Sequence, residues 1–544
     1  MITEHSTDAK AISLGVEAGL KLSFAGGLIS VDGAAKFLTD ETSSANQTRI
    51  ALKYRCTTKF TEVTMNHLTV DNIAYANIFD QRIATHVVVC ILYGAQAFFV
   101  FNQDVSENED HVAAHSKLQL IVKSIPTISD VGVDTGCGYD LTESQKITVE
   151  TVTCEFYGDM RLQFNPTTFY EALGVYQNLP NHIGENGENA VPLSVWLYPL
   201  DKLDARASTM TREISFAVYN ELQFYCEEFN TLERKCTYLL SKPTCLHMQQ
   251  IGKTIHKFKD YLGIFRQNFQ RQLTHILPEV RGCEKDEVEL VHIMEKISES
   301  PFNIETLGEW METRETEINI LESYFKCLMH VDLADKSGDV SAKLFEYDSL
   351  VYLHLHIPFV PDKFIDTLKH YIFSDQSDKE HQNRQPTDHW YTNLDIKMEM
   401  RQKIKTFASF AADNASSDTK FLVKISTTEH HVEDIAVMRY FVNGMEIMSN
   451  FVPPGPPSKP TILKLPRHYH RTTQLTWKPP QVGVNFIQYY EIAYQLPNEE
   501  KDSGTFKTND TECMFETREL SEPCYKFRIR AVCKAGAGPY GDES

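Results

Sequence analysis

Apolar and polar positions alternate through the first two hundred residues. Ile29, Val31, Gly33, Ala35 and Phe37 alternate with Ser30, Asp32, Ala34 and Lys36, and Ile50, Leu52, Tyr54 and Cys56 alternate with Ala51, Lys53, Arg55 and Thr57. A period of two sets one side of a strand against apolar surroundings and the other in water. The same pattern predicts strands at 117–123 (KLQLIVK) and 146–157 (KITVETVTCEFY), and a buried strand or strand pair around Gly94 in the apolar run 87–101. The period then lengthens. Leu203, Ala207, Met210, Ile214, Val218, Leu222, Tyr225, Phe229, Leu232, Cys236 and Leu239 form a helical stripe that Pro243 interrupts. A second stripe runs from Ile251 through Phe258, Phe265 and Leu273 to Ile276, ending at Pro278 and Gly282. Shorter helices fit 285–298 and 305–329. Four amphipathic helices with short connections predict an antiparallel bundle.

From 336 to 452 strand and helix signals mix. Strands are expected at 350–357 (LVYLHLHI), 420–426 and 438–443, and helices at 362–373, with Asp362 as N-cap, and 398–412. The stretch 452–460 (VPPGPPSKP) predicts a stiff linker. Beyond it, Leu475–Trp477, Tyr490–Tyr494 and Tyr525–Ala531 read as strands of an all-β segment. The expected fold class is therefore multidomain α+β: a β-rich domain at 1–200, a four-helix bundle at 201–335, an α/β domain at 336–452 and a β-sandwich at 453–544.

Charge narrows the functions. Among 544 residues, Lys+Arg number 53 and Asp+Glu 74, a net −21. That balance argues against nucleic acid as a partner and against electrostatic attraction to anionic lipid, so apolar burial would have to drive any membrane contact. The run 87–101 is shorter than the ~20 residues a membrane-spanning helix needs. The opening residues MITEHSTDAK lack the apolar core of a signal peptide, which predicts a cytoplasmic location, or release by an unconventional route. The 12 cysteines include no CxxC pair and read as reduced, mostly buried thiols.

Catalytic chemistry is not visible. Gly252-Lys253-Thr254 has His247 where a phosphate-binding loop needs glycine, and Gly132, Gly136 and Gly138 make no dinucleotide fingerprint. His354 with His356, and His430-His431 with Glu433 and Asp434, fall short of the three or four convergent ligands a metal requires. No HExxH or GxSxG motif occurs. The expectation is a protein without catalytic, cofactor-binding or metal-binding residues, and no enzyme.

Several segments carry a resemblance: MNHL (65–68), IATHVV (83–88), ILYGAQAFFVF (91–101), CEFYGD (154–159), GENGENAVPLSVWLYPL (184–200), QIGKTIHKFK (250–259) and SPFN (300–303). In this order and spacing they resemble the stonustoxin and verrucotoxin family of fish proteins over roughly residues 11–450. The resemblance implies a bent mixed sheet of the perforin and cholesterol-dependent-cytolysin type, whose helical clusters refold into membrane hairpins. A helical bundle and a thioredoxin-like domain follow, here without the CxxC of redox exchange. Compared with the family, sequence is missing at the N-terminal side of the sheet.

The last ninety or so residues resemble a fibronectin type III module, with Trp477 as core tryptophan and Tyr525 in the strand where a tyrosine hydroxyl clamps the preceding corner. The chain stops where the final strand of such a module is expected, so that strand is predicted to be missing. The resemblance implies a pore-forming, cytolytic function by oligomerisation on membranes. Candidate membrane-hairpin positions are Ile29, Val31, Phe37, Ile50, Leu52 and Tyr54. Expected partners are a lipid membrane, copies of this chain or a homologous subunit, and proteins bound through the fibronectin-like module. The alternative is an intracellular scaffold that has lost pore formation.

Overall fold

A computed structural model describes residues 7–16, 31–39, 47–68, 72, 75, 77–81, 84–105, 110–125, 142–207, 214–334, 337–359, 361–373, 389–428, 435–464, 472–496, 502–516 and 525–544. The chain divides into two compact units. One comprises residues 1–240, 255–311 and 367–376, the other residues 241–254, 312–366 and 377–544.

The first unit is built on an antiparallel sheet of β1 (Gln47–Glu62), β2 (His86–Asp104), β3 (Thr153–Gly158) and β4 (Val191–Pro199). Rich in Val and Phe, β2 runs for 19 residues and is the spine. Along one edge it pairs with β1; along the other, residues 97–102 pair with β3 and residues 86–94 with β4. Register shifts fall at Thr57/Lys59, Val88/Cys90 and Leu92/Tyr93, all close to Gly94. Each extra residue bends its strand, so the bend of the sheet concentrates there.

Both faces near the C-terminal half of β2 are covered. On one, Ile50, Ala95, Ala97, Phe99 and Phe101 form a core with Leu118, Val149, Phe169 and Leu179 from the helices His111–Lys123, Glu143–Glu150 and Phe169–Ile183. On the other, Phe37 stacks on Phe98 at 4.3 Å, beside Ala34, Ala51 and Val100.

Two expected strands are corrected here. Residues 117–123 belong to the helix His111–Lys123, whose N-cap Asp110 accepts from the Val112 N–H and whose Ala114, Leu118, Ile121 and Val122 are buried. Residues 146–150 belong to Glu143–Glu150, started by a reciprocal capping box between Thr142 and Gln145, and only the remainder forms β3. The strand expected at 29–37 is corrected as well. Gly33–Thr39 is a 3-10 turn, with Gly33 at φ 60° and the Ala34 N–H donating to the Asp159 carboxylate at 2.9 Å. Val31 precedes that turn outside any strand. Ile29 lies outside the described residues.

The bundle helices are Phe216–Ser241, Gln249–Arg281, Val288–Ser298 and Ile304–Cys327. The first begins later than the stripe from Leu203 predicts, and Met210 lies outside the described residues. Pro278 does not end the second, which continues to Arg281 before Cys283 turns left-handed at φ 62°. Within the first unit Phe229 meets Phe265 at 5.7 Å, Phe265 stacks on Phe302 at 4.1 Å and Phe258 on Trp310 at 4.2 Å. Such aromatic contacts add to area burial.

The second unit holds a mixed five-stranded sheet of β5 (Asp332–Leu333), β6 (Ser349–Pro358), β7 (Thr419–Thr428), β8 (Ala436–Val442) and β9 (Met445–Met448), in the order β5-β7-β6-β8-β9. Phe407 and Phe410 of the helix Leu394–Asp413 pack on Phe421 of β7. The remaining strands are β10 (Thr461–Lys464), β11 (Thr472–Thr476), β12 (Ile487–Gln495), β13 (Gly504–Thr508), β14 (Glu512–Glu516), β15 (Lys526–Cys533) and β16 (Gly536–Ala537). They make two sheets, β10-β11-β14 and β13-β12-β15-β16, around Trp477, Ile492 and Ile529. Tyr525 packs its ring against Phe515 at 5.4 Å; the corner it was expected to clamp, 517–524, lies outside the described residues.

After β16 the residues 538–544 form no strand, yet Gly538, Gly541 and Ser544 donate backbone N–H groups to Ala531, Ile529 and Phe527 on β15 at 2.8, 2.8 and 2.9 Å. The proline stretch, expected as a stiff linker, is held to the segment after it, the Gly455 and Ser458 N–H groups donating to the Val482 and Lys478 carbonyls at 3.1 and 3.0 Å. Phe451 is buried among Phe410, Tyr440 and Phe486. The Asn414 side chain donates to the Ala537 carbonyl at 2.8 Å and accepts from its N–H at 2.7 Å. These contacts fuse the α/β domain to the β-sandwich.

Candidate functional site

The connection from β2 to β3 carries the most informative chemistry. It contains the helices His111–Lys123 and Glu143–Glu150, which lie over the Phe99 and Phe101 face of the sheet. As a helix, 111–123 buries Ala114, Leu118, Ile121 and Val122 and leaves Val112 and Leu120 exposed at 72% and 63%. As a strand the same residues would put Val112, Ala114, Ser116, Leu118, Leu120 and Val122 on one side and His111, Ala113, His115, Lys117, Gln119, Ile121 and Lys123 on the other. In the second helix Ile147 is 68% exposed while Val149 is buried. The apolar side chains these helices leave in water are thus the ones an alternating strand would use. The cover is tied to β1 by a polar contact, the Thr48 hydroxyl 2.8 Å from His115 Nδ1.

The structure brings three of the candidate hairpin positions together. Ile50 is fully buried and Leu52 and Tyr54 are half-buried on the helix-covered face, opposite Phe101, Phe99 and Ala97 of β2. Tyr54 meets Tyr176 edge-on at 6.3 Å, and burial pushes its phenol well above the usual range. Phe37 lies on the opposite face, apart from them. At the far end of the sheet an exposed pair was missed by sequence reasoning: Phe60 and Trp196, 51% and 46% exposed, meet edge-on at 5.4 Å. In the sequence Phe60 stays in phase with Ile50, Leu52, Tyr54 and Cys56, but the polar Thr58 interrupts that series, and the register shift at Thr57/Lys59 is not visible before the strands pair.

The remaining candidates carry no reaction. His354 and His356 stand with ring centroids 3.7 Å apart. Burial, then the charges of His356, Lys424 and Arg439, hold His354 down to about 3. His430, His431, Glu433 and Asp434 lie outside the described residues, and among the described residues no set of three or more His, Cys, Asp or Glu could hold a metal. Burial pushes the thiols of Cys226 and Cys236 up to about 12 and of Cys245 to about 11, away from nucleophilic use. Among the described residues no helix is long and apolar enough to cross a membrane.

The His354 environment makes a pH prediction. Its folded-state value lies below the ordinary 6.5 of an unfolded chain. As pH falls through about 6.5 the unfolded state takes the proton first, so stability present at neutral pH declines on the acid side. The urea midpoint of the second unit should fall between pH 7.5 and pH 5, and His354→Gln should flatten that slope. An equal slope in both proteins would refute the assignment.

Comparison with known proteins places this architecture. Residues 225–319 match the stonustoxin helical domain and residues 352–453 the thioredoxin-like SNTX domain. Neoverrucotoxin subunit beta of Synanceia verrucosa is 31% identical over 468 residues, 85% of this chain and 65% of that protein. Cytolytic toxin-beta of Scorpaena plumieri is 30% identical over 489 residues, 87% of this chain and 67% of that protein. A solved stonustoxin structure superposes with a TM-score of 0.65 at 22% identity, covering 100% of this chain and 90% of that one. A stretch of 93 residues, 17% of the chain, is 36% identical to fibronectin type-III domain-containing protein 3a of Gallus gallus, of which it covers 8%.

The fold is that of the solved stonustoxin, an antiparallel sheet followed by helical and thioredoxin-like domains, and the chain belongs to the stonustoxin family. It spans 65% of the length of the beta subunits of neoverrucotoxin and stonustoxin. The cytoplasmic location expected from the opening residues is corrected by this kinship, because the relatives are toxins, proteins that act outside the cell that makes them.

Proposed function

We propose that this chain is a cytolytic protein of the pore-forming type, acting by oligomerisation on membranes with copies of itself or a homologous subunit. In this reading the β2–β3 connection leaves its helical cover and extends the sheet as a hairpin. The observation that supports it is the double pattern of 111–123: helical spacing buries four residues, and strand spacing collects the exposed Val112 and Leu120 beside Leu118 and Val122. Its 13 residues are enough for one crossing by a tilted strand, which takes ~9–11. A closed ring of such hairpins would satisfy every backbone group in lipid. Ile50, Leu52 and Tyr54 would then form the seat from which the helices lift. Proposed domain limits stay at 200, 335 and 452. The alpha and beta subunits among the relatives support a homologous partner.

Dye release from liposomes tests this. Leu120→Arg changes an exposed helical position, so the soluble protein should keep its stability within about 0.5 kcal/mol. On a lipid-facing strand the same arginine costs about 2–4 kcal/mol per subunit, so release should be lost. Full release by the Leu120→Arg protein would defeat the hairpin assignment, and no release by the unaltered protein would defeat the pore.

A further inference from the structure

On the α/β sheet of the second unit, three adjacent strands bring hydrogen-bond donors together. His354 and His356 on β6 stand opposite Lys424 and Ser426 on β7, and Arg439 on β8 stands opposite Tyr352, two positions along β6 from His354. Directly opposed residues share a face, and so do positions two apart, so all five point to the same side. Each is half-buried. The Ser426 hydroxyl lies 2.8 Å from His354 Nε2. Burial first, and then the charges of Lys424 and Arg439, oppose protonation of both His354 and His356, so two cationic side chains act on the histidine pair. Arg439 Nε is buried without a hydrogen-bond partner, and Glu446, a carboxylate on β9, stands 3.7 Å from its Nη1. A buried donor with no acceptor is costly, and an arginine fork is shaped to receive two oxygens.

We propose that Arg439, Lys424, Ser426 and the histidine pair form a binding site for a phosphate-type anion, either a free phosphate or a phospholipid headgroup. An oxyanion there would accept from the Arg439 guanidinium and the Lys424 ammonium, supply the acceptor Arg439 Nε lacks, and take further bonds from Ser426 and an imidazole N–H. The same charges repel a metal cation, so the histidine pair serves an anion instead. A chain of net charge −21 gives an anion no long-range attraction, so recognition must come from contact geometry.

Isothermal titration of the full chain with inorganic phosphate, against chloride at matched ionic strength, tests the site. Saturable binding is expected, weakened by about tenfold or more in Arg439→Gln and in Lys424→Gln. Far-UV circular dichroism verifies the fold, and if Arg439→Gln fails to fold, Lys424→Gln decides. Flotation with phosphatidylcholine vesicles doped with phosphatidic acid separates the two sources. Capture that inorganic phosphate displaces assigns the headgroup, and phosphate binding without capture assigns the free anion. Absence of saturable phosphate binding, or undiminished binding in the folded variants, overturns the proposal.

Discussion

Replacing Gly94 by alanine should cost the first unit about 4 kcal/mol, at the upper end of what single substitutions do. A Cβ at this position would sit 2.0 Å from the Cys56 carbonyl oxygen, 2.6 Å from Leu193 Cδ1 and 2.9 Å from Thr57 Cα. The leucine tip can rotate away; the Cys56 oxygen and Thr57 Cα are main chain of β1 and cannot. Relief would require β1 to separate from β2 where three register shifts already concentrate the bend. With total stabilities near 5–15 kcal/mol, a loss of this size leaves the sheet partly unfolded at ordinary temperature. Gly174, in the helix Phe169–Ile183, has nothing within 4 Å of its would-be Cβ, so Gly174→Ala should be neutral or stabilising by up to about 1 kcal/mol. Urea unfolding followed by near-UV circular dichroism compares the two. Equal midpoints for Gly94→Ala and the unaltered protein would show that β1 yields at the bend.

Where one period governs a segment, the chain was legible. The stripe Val218–Leu239 and the run 87–101 each serve one element, and they became the helix Phe216–Ser241 and the strand β2. Residues 117–123 satisfy both periods, since Leu118, Ile121 and Val122 fit a helix while Leu118, Leu120 and Val122 fit a strand. The Asp110 cap and the Thr142–Gln145 box tip such segments toward helix, and both lie upstream of the alternation that was read. Residues 31–37 failed for a different reason. Their conformation depends on Gly33 and on Asp159, a carboxylate far along the chain that also accepts from the Gln96 N–H at 2.8 Å. The contact of 538–544 with β15 was invisible because it runs through the backbone N–H groups of Gly538, Gly541 and Ser544, which carry no apolar alternation. Trp477 was legible because a large aromatic beside strand signals seldom has anywhere to go but a core. The candidate positions Ile50, Leu52 and Tyr54 were legible as one face, but not as a covered one, because 117–123 and 146–150 were read as strands and the helix Phe169–Ile183 was not read at all.

Glu317→Ala should destabilise the second unit by about 3–5 kcal/mol, the range for removing one partner of a buried pair. Glu317 and Arg314 are 5% and 7% exposed, and their Oε2–Nη1 contact is 2.8 Å. The other carboxylate oxygen accepts from Trp390 Nε1 at 2.8 Å, and Arg314 Nη2 lies 3.0 Å from His389 Nδ1. Because a guanidinium only donates, that imidazole nitrogen must accept, and the Glu317 carboxylate is an anion in direct contact with Arg314. Alanine therefore takes a carboxylate away from a buried guanidinium and leaves the Trp390 indole N–H without the acceptor it has here, two losses from one substitution. Removing both charges together should cost less. In Arg314→Met with Glu317→Leu the remaining orphan is the Trp390 N–H, worth about 1–3 kcal/mol. The double variant should consequently be more stable than Glu317→Ala alone, with a coupling of about 0.5–3 kcal/mol between the sites. Chemical denaturation of the three proteins measures this cycle. A cost below about 1 kcal/mol for the single substitution is what an exposed pair gives, and it would mean that water reaches the Arg314 guanidinium and the cluster is a solvated surface pair.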